Sequence, residues 1–138
     1  MSVSVSFQDL VLALLQEDAA VAAIVGDRIV DGNSDDLAYP NITFGPSDYT
    51  PDDADCINGR EETLQIDCWT RQDGKKWPCR QLVDAVKSAL HDAEGGLSAG
   101  ALIQMRVVLV RILDDPDGIT THGVVQVTGL IEETTTDG

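Results

Sequence analysis

The segment 102–113 constrains the fold of this chain more than any other part of the sequence, because both faces of an extended strand there would be apolar. The apolar residues that alternate between the two faces are Ile103, Met105, Val107 and Leu109 on one side and Val108, Val110 and Ile112 on the other. A strand is apolar on both faces where it lies inside a sheet or where another subunit covers its outer face. The segment therefore predicts a strand that is central or contacts a second subunit.

Two apolar stripes at helical spacing predict helices over residues 6–25 and 75–92. For the first helix, Ser6 is the expected N-cap and Gly26 the residue that ends it. Asp18 interrupts the first stripe, and it marks either a break or the start of a second short helix. The sequence thus predicts two main helices, separated by a region with a different periodicity.

That intervening region and the C-terminal third predict strands. Alternation favours strands over 39–44, 63–71 and 122–132, in addition to the long segment described above, and a short candidate over 28–30. Residues 45–60 are rich in Pro, Asp and Gly without periodicity, which predicts a long functional or mobile loop. This order predicts an α+β fold, in which an antiparallel sheet of about four strands carries two helices packed on one face.

Composition limits the classes of function. The chain has 138 residues and a formal net charge of −15, which suits one domain over 1–138 with a flexible tail at 132–138. A reader of duplex nucleic acid needs a basic footprint, which this chain lacks. The longest strictly apolar run, 19–25, is too short to span a membrane, and residues 1–6 lack the positive charge of a signal peptide. We therefore expect no membrane association.

Catalytic and metal-binding patterns are weak. Cys68 and Cys79 fall on apolar stripes at spacings unlike those of zinc sites, so we expect them in the core, whereas Cys56 lies in an acidic segment. His91 and His122 sit at the ends of predicted elements and are interpreted as structural. No phosphate-binding loop or nucleophile elbow is present in the sequence. We expect a protein that is not an enzyme and that has no catalytic, cofactor or metal site.

Five segments, taken together and in order, resemble a known family. They are residues 14–29, 39–45, 56–71, 84–91 and 111–123. Their order and spacing are similar to those of the tail completion proteins of long-tailed bacteriophages, which join tail to head. Related members of that group are tail terminators in phages and gene transfer agents.

The resemblance implies a structural virion protein at the tail–head junction, present in the host cytoplasm before assembly. It implies a homohexameric ring that caps the tail tube, with the tail tube protein and the head–tail connector or stopper protein as partners. DNA would pass through the ring without specific binding. The family has no catalytic residues to transfer to this chain.

Candidate surfaces follow from the residues and from this implied role. Trp69 and Trp77 either pack within the protomer or contact another subunit, since aromatic residues are enriched at interfaces. The candidates for a subunit or partner interface are Trp69, Trp77, Val108, Val110 and Ile112. The candidates for an acidic channel lining or a mobile loop are Asp48, Asp52, Asp53, Asp55, Asp114, Asp115 and Asp117. For the aspartates, a simple solubilising surface is the alternative.

Two other functions remain open at this point. One is another neck component, such as a connector adaptor, and the other is a small ligand-binding module. A ligand-binding module would show a well-formed pocket with convergent polar groups. A terminator would assemble into a ring, so the mass of the particle in solution separates these readings.

Overall fold

A computed structural model describes residues 2–33, 36–53 and 58–133. The helices in these ranges are α1 (Val3–Glu17), α2 (Ala19–Val25) and α3 (Trp77–Leu90). The strands are β1 (Ile29–Val30), β2 (Asn41–Pro51), β3 (Gly59–Arg71), β4 (Ala101–Asp114) and β5 (Thr120–Glu132). The α+β class is confirmed. The third helix and the fifth strand are the second short helix at Asp18 and the short strand over 28–30 that the sequence offered as candidates beside the two helices and about four strands.

The extra helix arises at Asp18. This residue has an extended backbone, with φ −80° and ψ 122°, so it ends α1. Its side chain then accepts a hydrogen bond of 3.0 Å from the backbone N–H of Val21, which caps α2. A single carboxylate therefore divides the predicted helix 6–25 into two. Gly26, at φ +60°, ends α2 as expected.

The start of α1 differs from the prediction. Ser2 is the N-cap, and its hydroxyl accepts from the backbone N–H of Val5 at 3.2 Å. Ser6 is instead buried inside the helix, where its hydroxyl donates to the carbonyl oxygen of Ala99 at 2.9 Å. The prediction of Ser6 as the cap was wrong because the helix begins earlier, at Val3, which places Ser6 inside it.

The sheet is mixed and has the strand order β1-β2-β3-β5-β4. The four long strands are antiparallel, as predicted, and the two-residue β1 adds a parallel pair with β2. β4 lies at an edge of this sheet. The alternative of a central strand was therefore wrong for 102–113, because β4 has a neighbouring strand, β5, on one side only.

The two ends of the predicted loop 45–60 are strand. β2 continues to Pro51 and β3 begins at Gly59, so residues 47–51 pair with residues 60–64 of β3. An irregularity between Phe44 and Ser47 accommodates Gly45 and Pro46, which masks the alternation that would reveal a strand. Residues 47–51 are extended because they pair with β3, and the local composition does not predict this pairing.

Both α1 and α3 pack on the same face of the sheet. A methyl group added at Gly129 would collide with the Phe7 ring of α1, and one added at Gly123 would collide with Val83 of α3. These glycines are an even number of residues apart on β5, so they share a face. No described helix covers the opposite face, which we call the open face. It carries Gln65, Asp67, Trp69 and Arg71 of β3, together with their cross-strand neighbours on β5.

Candidate assembly surface

The unpaired side of β4 is the most unusual surface of the protein. β4 pairs with β5 along one side, and no strand in the described ranges pairs with the other. Ile103, Val108, Val110 and Leu113 are 40–59% exposed along this strand. We call these four residues and the free backbone beside them the β4 edge. A long apolar edge with free N–H and C=O groups is a template for pairing with another chain.

Two irregularities in β4 explain why so much of its apolar surface is exposed. The pairing with β5 skips residue 103 and residue 108, so each is an extra residue in the strand. Each insertion shifts the alternation by one position. Met105 is therefore fully buried, whereas Val108 is exposed. Side chains along β4 therefore do not show the strict alternation between two faces that the sequence of 102–113 predicts.

The predicted interface residues of β4 do not share one environment. Val108 and Val110 belong to the β4 edge, whereas Ile112 is partly buried and packs against the core. Two arginines, Arg106 and Arg111, are exposed on the same strand. Neither makes an ion pair with a residue that the structure describes. The strand thus combines apolar side chains with unpaired positive charge in a chain of net charge −15.

Trp69 packs within the protomer, on the open face. Its ring stacks on that of His122, with centroids 4.0 Å apart and planes 8° from parallel. The indole Nε1 donates to Oγ1 of Thr43 at 3.0 Å, and Nε2 of His122 lies 2.7 Å from Oδ1 of Asp67. The network fixes the middle of the open face. Alternation places Trp69 on this face, but the register that brings His122 opposite it has no signal in the sequence.

Trp77 is separate from Trp69. It is the first residue of α3 and is 56% exposed. With Ile24 of α2 and Pro40, it lines a groove of about 420 Å³ between the two helices and the ends of the strands. The two tryptophans therefore belong to different surfaces, and neither lies on the β4 edge.

A polar cavity of about 370 Å³ lies at one end of the open face. Its centre is Arg71, whose Nε donates to Oγ1 of Thr120 at 2.9 Å and whose guanidinium carbon lies 4.3 Å from the centre of the Tyr39 ring. Asp117 closes the cavity from the β4–β5 turn, 3.5 Å from the guanidinium. These groups are occupied in holding the turn to the sheet.

Asp117 shapes that turn through hydrogen bonds. Its carboxylate accepts from the backbone N–H groups of Ile119 and Thr120 at 2.9 and 2.8 Å, and from the Thr120 hydroxyl at 2.6 Å. The hydrogen bond from the Thr120 hydroxyl is the main cause that lowers the pKa of Asp117 below its ordinary value. Asp117 is therefore the structural anchor of the β4–β5 turn.

The acidic residues form two clusters rather than one. Asp48, Asp52 and Asp53 are exposed near the tip of the β2–β3 hairpin. The residues of the other cluster, at the β4–β5 turn, are Asp114, Asp115 and Asp117. The strand register puts these clusters at opposite ends of the sheet. Asp55 and Cys56 lie outside the described residues.

A partly buried ion-pair cluster, which the sequence does not predict, closes the end of the sheet near the hairpin. Arg60 donates to Glu133 at 2.7 Å and to Glu62 at 3.1 Å, and its guanidinium lies 3.7 Å from the centre of the Tyr49 ring. The hydrogen bond to Glu133 is the largest cause that raises the pKa of Arg60. Arg60 and Glu62 are two residues apart, which would place them on one face of a strand. The prediction of a loop up to residue 60 hides this signal.

The cysteines and His91 have structural roles. Cys68 and Cys79 are fully buried in the core, as predicted, and burial raises the pKa of Cys79 to about 11. Nδ1 of His91 accepts a 3.0 Å hydrogen bond from the backbone N–H of Val107, which ties the end of α3 to β4. The described ranges contain no group of three or more potential metal ligands. None of the described helices is long and apolar enough to cross a membrane.

Comparison with known proteins identifies the family. Residues 9–132 match the family model described as tail completion protein gp17. The chain belongs to this family. No curated protein matches the sequence of this tail completion protein.

Solved structures share its fold, among them the following two. One is a chain in the virion of a native gene transfer agent particle, with a TM-score of 0.87 and 22% identity over 95% of this chain and 98% of that one. The other is the gp17 protein of bacteriophage SPP1, with a TM-score of 0.59 and 18% identity over 98% of this chain and 93% of that one. The fold of the tail completion protein is therefore shared along nearly its whole length.

Proposed function

We propose that this tail completion protein is a structural component of the tail–head junction of a long-tailed phage or gene transfer agent. In this role it forms a homohexameric ring around the DNA channel, caps the tail tube and binds the head–tail connector or stopper protein. One observation carries the proposal: the chain matches almost the full length of a chain in a gene transfer agent virion. Before assembly the protein would be in the host cytoplasm.

The role we propose is mechanical rather than catalytic. The polar groups of the cavity at Arg71 bond to one another and hold the β4–β5 turn. The Trp69–His122 pair is likewise used within the protomer. Among the described residues, the β4 edge is a long apolar surface that no strand of the protomer pairs with, and subunit association is the function that this surface supports.

Within the ring, the exposed aspartates are placed to act through charge. Like charge keeps DNA from adhering to a channel wall as it passes. Asp114 is paired with Lys76, and Asp117 anchors its turn, so these carboxylates are partly engaged. Asp52 and Asp53, exposed near the hairpin tip, are better candidates for a channel lining. Neutralising both should then slow DNA passage without changing assembly.

The deciding experiment is native mass spectrometry of the purified protein, alone and with its tail tube protein. We expect a species of six 14.8 kDa protomers, in solution or on the tube. A protein that stays monomeric and does not bind the tail tube protein would contradict the proposal. That result would favour a connector adaptor or a small ligand-binding module instead.

A further inference from the structure

The two edges of the sheet are chemically different. Along β2, the short β1 pairs with Ile42 and Thr43, and no other strand in the described part of the chain pairs with the outer side of β2. That stretch contains Pro46 and Pro51, which lack N–H donors, and the exposed carboxylate of Asp48. On natural edge strands, prolines and charges restrict where and with what another strand can pair. The β4 edge has no proline and no carboxylate before Asp114.

One row of side chains crosses the sheet from one edge to the other. Asp48 of β2 pairs with Thr63 of β3, Thr63 pairs with Thr128 of β5, and Thr128 pairs with Arg106 of β4. The hydroxyl oxygens of the two threonines are 3.1 Å apart and hydrogen-bonded, so the row lies on one face. The row therefore begins with a carboxylate on one edge and ends with a guanidinium on the other.

We propose that the β4 edge of one copy docks against residues 47–50 of β2 in a second copy, and that this contact repeats around the ring. The inference rests on the proposed ring and specifies its interface. In this arrangement, Arg106 of one copy meets Asp48 of the next at the end of a continuous row. Neither side chain has an ion-pair partner among the described residues of its own protomer, and both are exposed.

Charge also favours docking of β4 on β2 of a second copy over a symmetric contact between two β4 edges. If two β4 edges met each other, the interface would bring together Arg106 and Arg111 of both copies with no carboxylate before Asp114 to offset them, and like charges across an interface are costly. A contact between two different edges leaves one edge free on every copy. Such head-to-tail contacts produce a ring when the rotation between copies closes.

Residues 47–50 suit the receiving role. They lie between the two prolines of β2, so each of them has a backbone N–H. The two residues of the β4 edge nearest Arg106, Ile103 and Val108, give the contact its hydrophobic area, while Arg106 and Asp48 fix its register. The prolines on either side limit how far the strands can slide.

Charge reversal tests the register directly. Arg106→Glu and Asp48→Lys should each weaken association at least about tenfold, because each places like charges together. The variant that carries both changes should associate within about twofold of the unmodified protein, since the ion pair is restored in reverse. Association is measured by sedimentation in solution and by co-sedimentation with assembled tail tubes. Asp84→Lys is the control, with the same change of charge on the exposed side of α3.

Thiol cross-linking separates the possible contacts. With Cys56 replaced by serine, a mixture of Asp48→Cys and Arg106→Cys chains should form a covalent dimer, and neither chain should do so alone. Cross-linking of Arg106→Cys to itself, or a double reversal that fails to associate, would overturn this interface while leaving the ring intact. If the unmodified protein forms no oligomer, in solution or on tubes, the proposed function fails and this interface fails with it.

Discussion

At the scale of single residues, two glycines determine how closely the helices approach the sheet. A Cβ atom at Gly123 would lie 2.5 Å from Cγ1 of Val83 and 2.7 Å from Sγ of Cys79. Both neighbours are fixed in the core, so neither can move without disturbing α3. The glycine is therefore required by packing rather than by backbone conformation.

We expect Gly123→Ala to lower the free energy of unfolding by about 1–3 kcal/mol, because the added methyl group overpacks the interface with α3. Urea denaturation measures the change. Gly96→Ala is the matched control: a Cβ there has no neighbour within 4 Å, and the cost should stay within about 0.5 kcal/mol. Equal stability of the two variants would show that α3 can shift to make room.

Asp117 predicts a dependence of stability on pH. Hydrogen bonds from Thr120 hold the pKa of Asp117 below its ordinary value of 3.8 in the folded protein. Stability from this carboxylate is therefore complete above pH 3.8 and is lost as the pH falls through the lowered pKa. The difference in Tm between the unmodified protein and Asp117→Asn should be largest near neutral pH and should shrink in acid. Asp84→Asn corrects for the loss of one negative charge. A difference that does not change with pH would contradict this account.

At the scale of elements, alternation and helical spacing predict most of the fold. The strands ending at Arg71 and Glu132, and the helix that begins near Trp77, appear close to their predicted positions. Where prediction failed, a contact distant in sequence decided the structure. Ser6 bonds to Ala99 rather than capping α1, and β3 organises the hairpin that Pro46 and Pro51 disguise.

The candidate surface was less predictable than the fold. The apolar segment that forms β4 predicts either a central strand or a subunit contact. Only the strand order, which places β4 at the edge of the sheet, decides between these two alternatives. The bulge at residue 108 and the row that joins Asp48 to Arg106 depend on register, which is set by three strands together. A single sequence carries no local signal for such a row, because its members are far apart along the chain.

The register of β4 yields a contrast between neighbouring positions. Met105 is fully buried and Val108 is 58% exposed. We expect Met105→Asp to cost about 4 kcal/mol or more, because it buries an unpaired charge. Val108→Asp should cost about 1 kcal/mol or less and leave the fold intact, since its carboxylate reaches water.

Two measurements check this contrast. Circular dichroism and thermal unfolding should separate the two variants, with only Met105→Asp unfolded or strongly destabilised. In the assembly assay, Val108→Asp should fail although it is folded, because the charge lies on the β4 edge. Unfolding of Val108→Asp would instead show that residue 108 faces the core.

At the scale of the whole molecule, the charge of −15 opposes both folding and assembly. Each added protomer brings fifteen excess negative charges into the particle. Self-repulsion of this kind destabilises a compact state and is reduced by salt, because the Debye length falls from about 30 Å at 0.01 M to about 3 Å at 1 M. The local positive charge at Arg106 and Arg111 then lies where it can offset repulsion between neighbours.

This balance predicts that added sodium chloride raises the Tm of the protein. The control is a variant with Asp9→Asn, Asp27→Asn, Asp84→Asn and Glu94→Gln, whose net charge is −11 and whose altered side chains are all exposed. Its Tm should be higher at low salt and should rise less on adding salt, because less repulsion remains to be screened. If both proteins respond equally, salt acts through surface exclusion of the ions rather than through charge.

For assembly, the expected optimum is at intermediate salt, where repulsion between protomers is screened before the contact of Arg106 with Asp48 weakens.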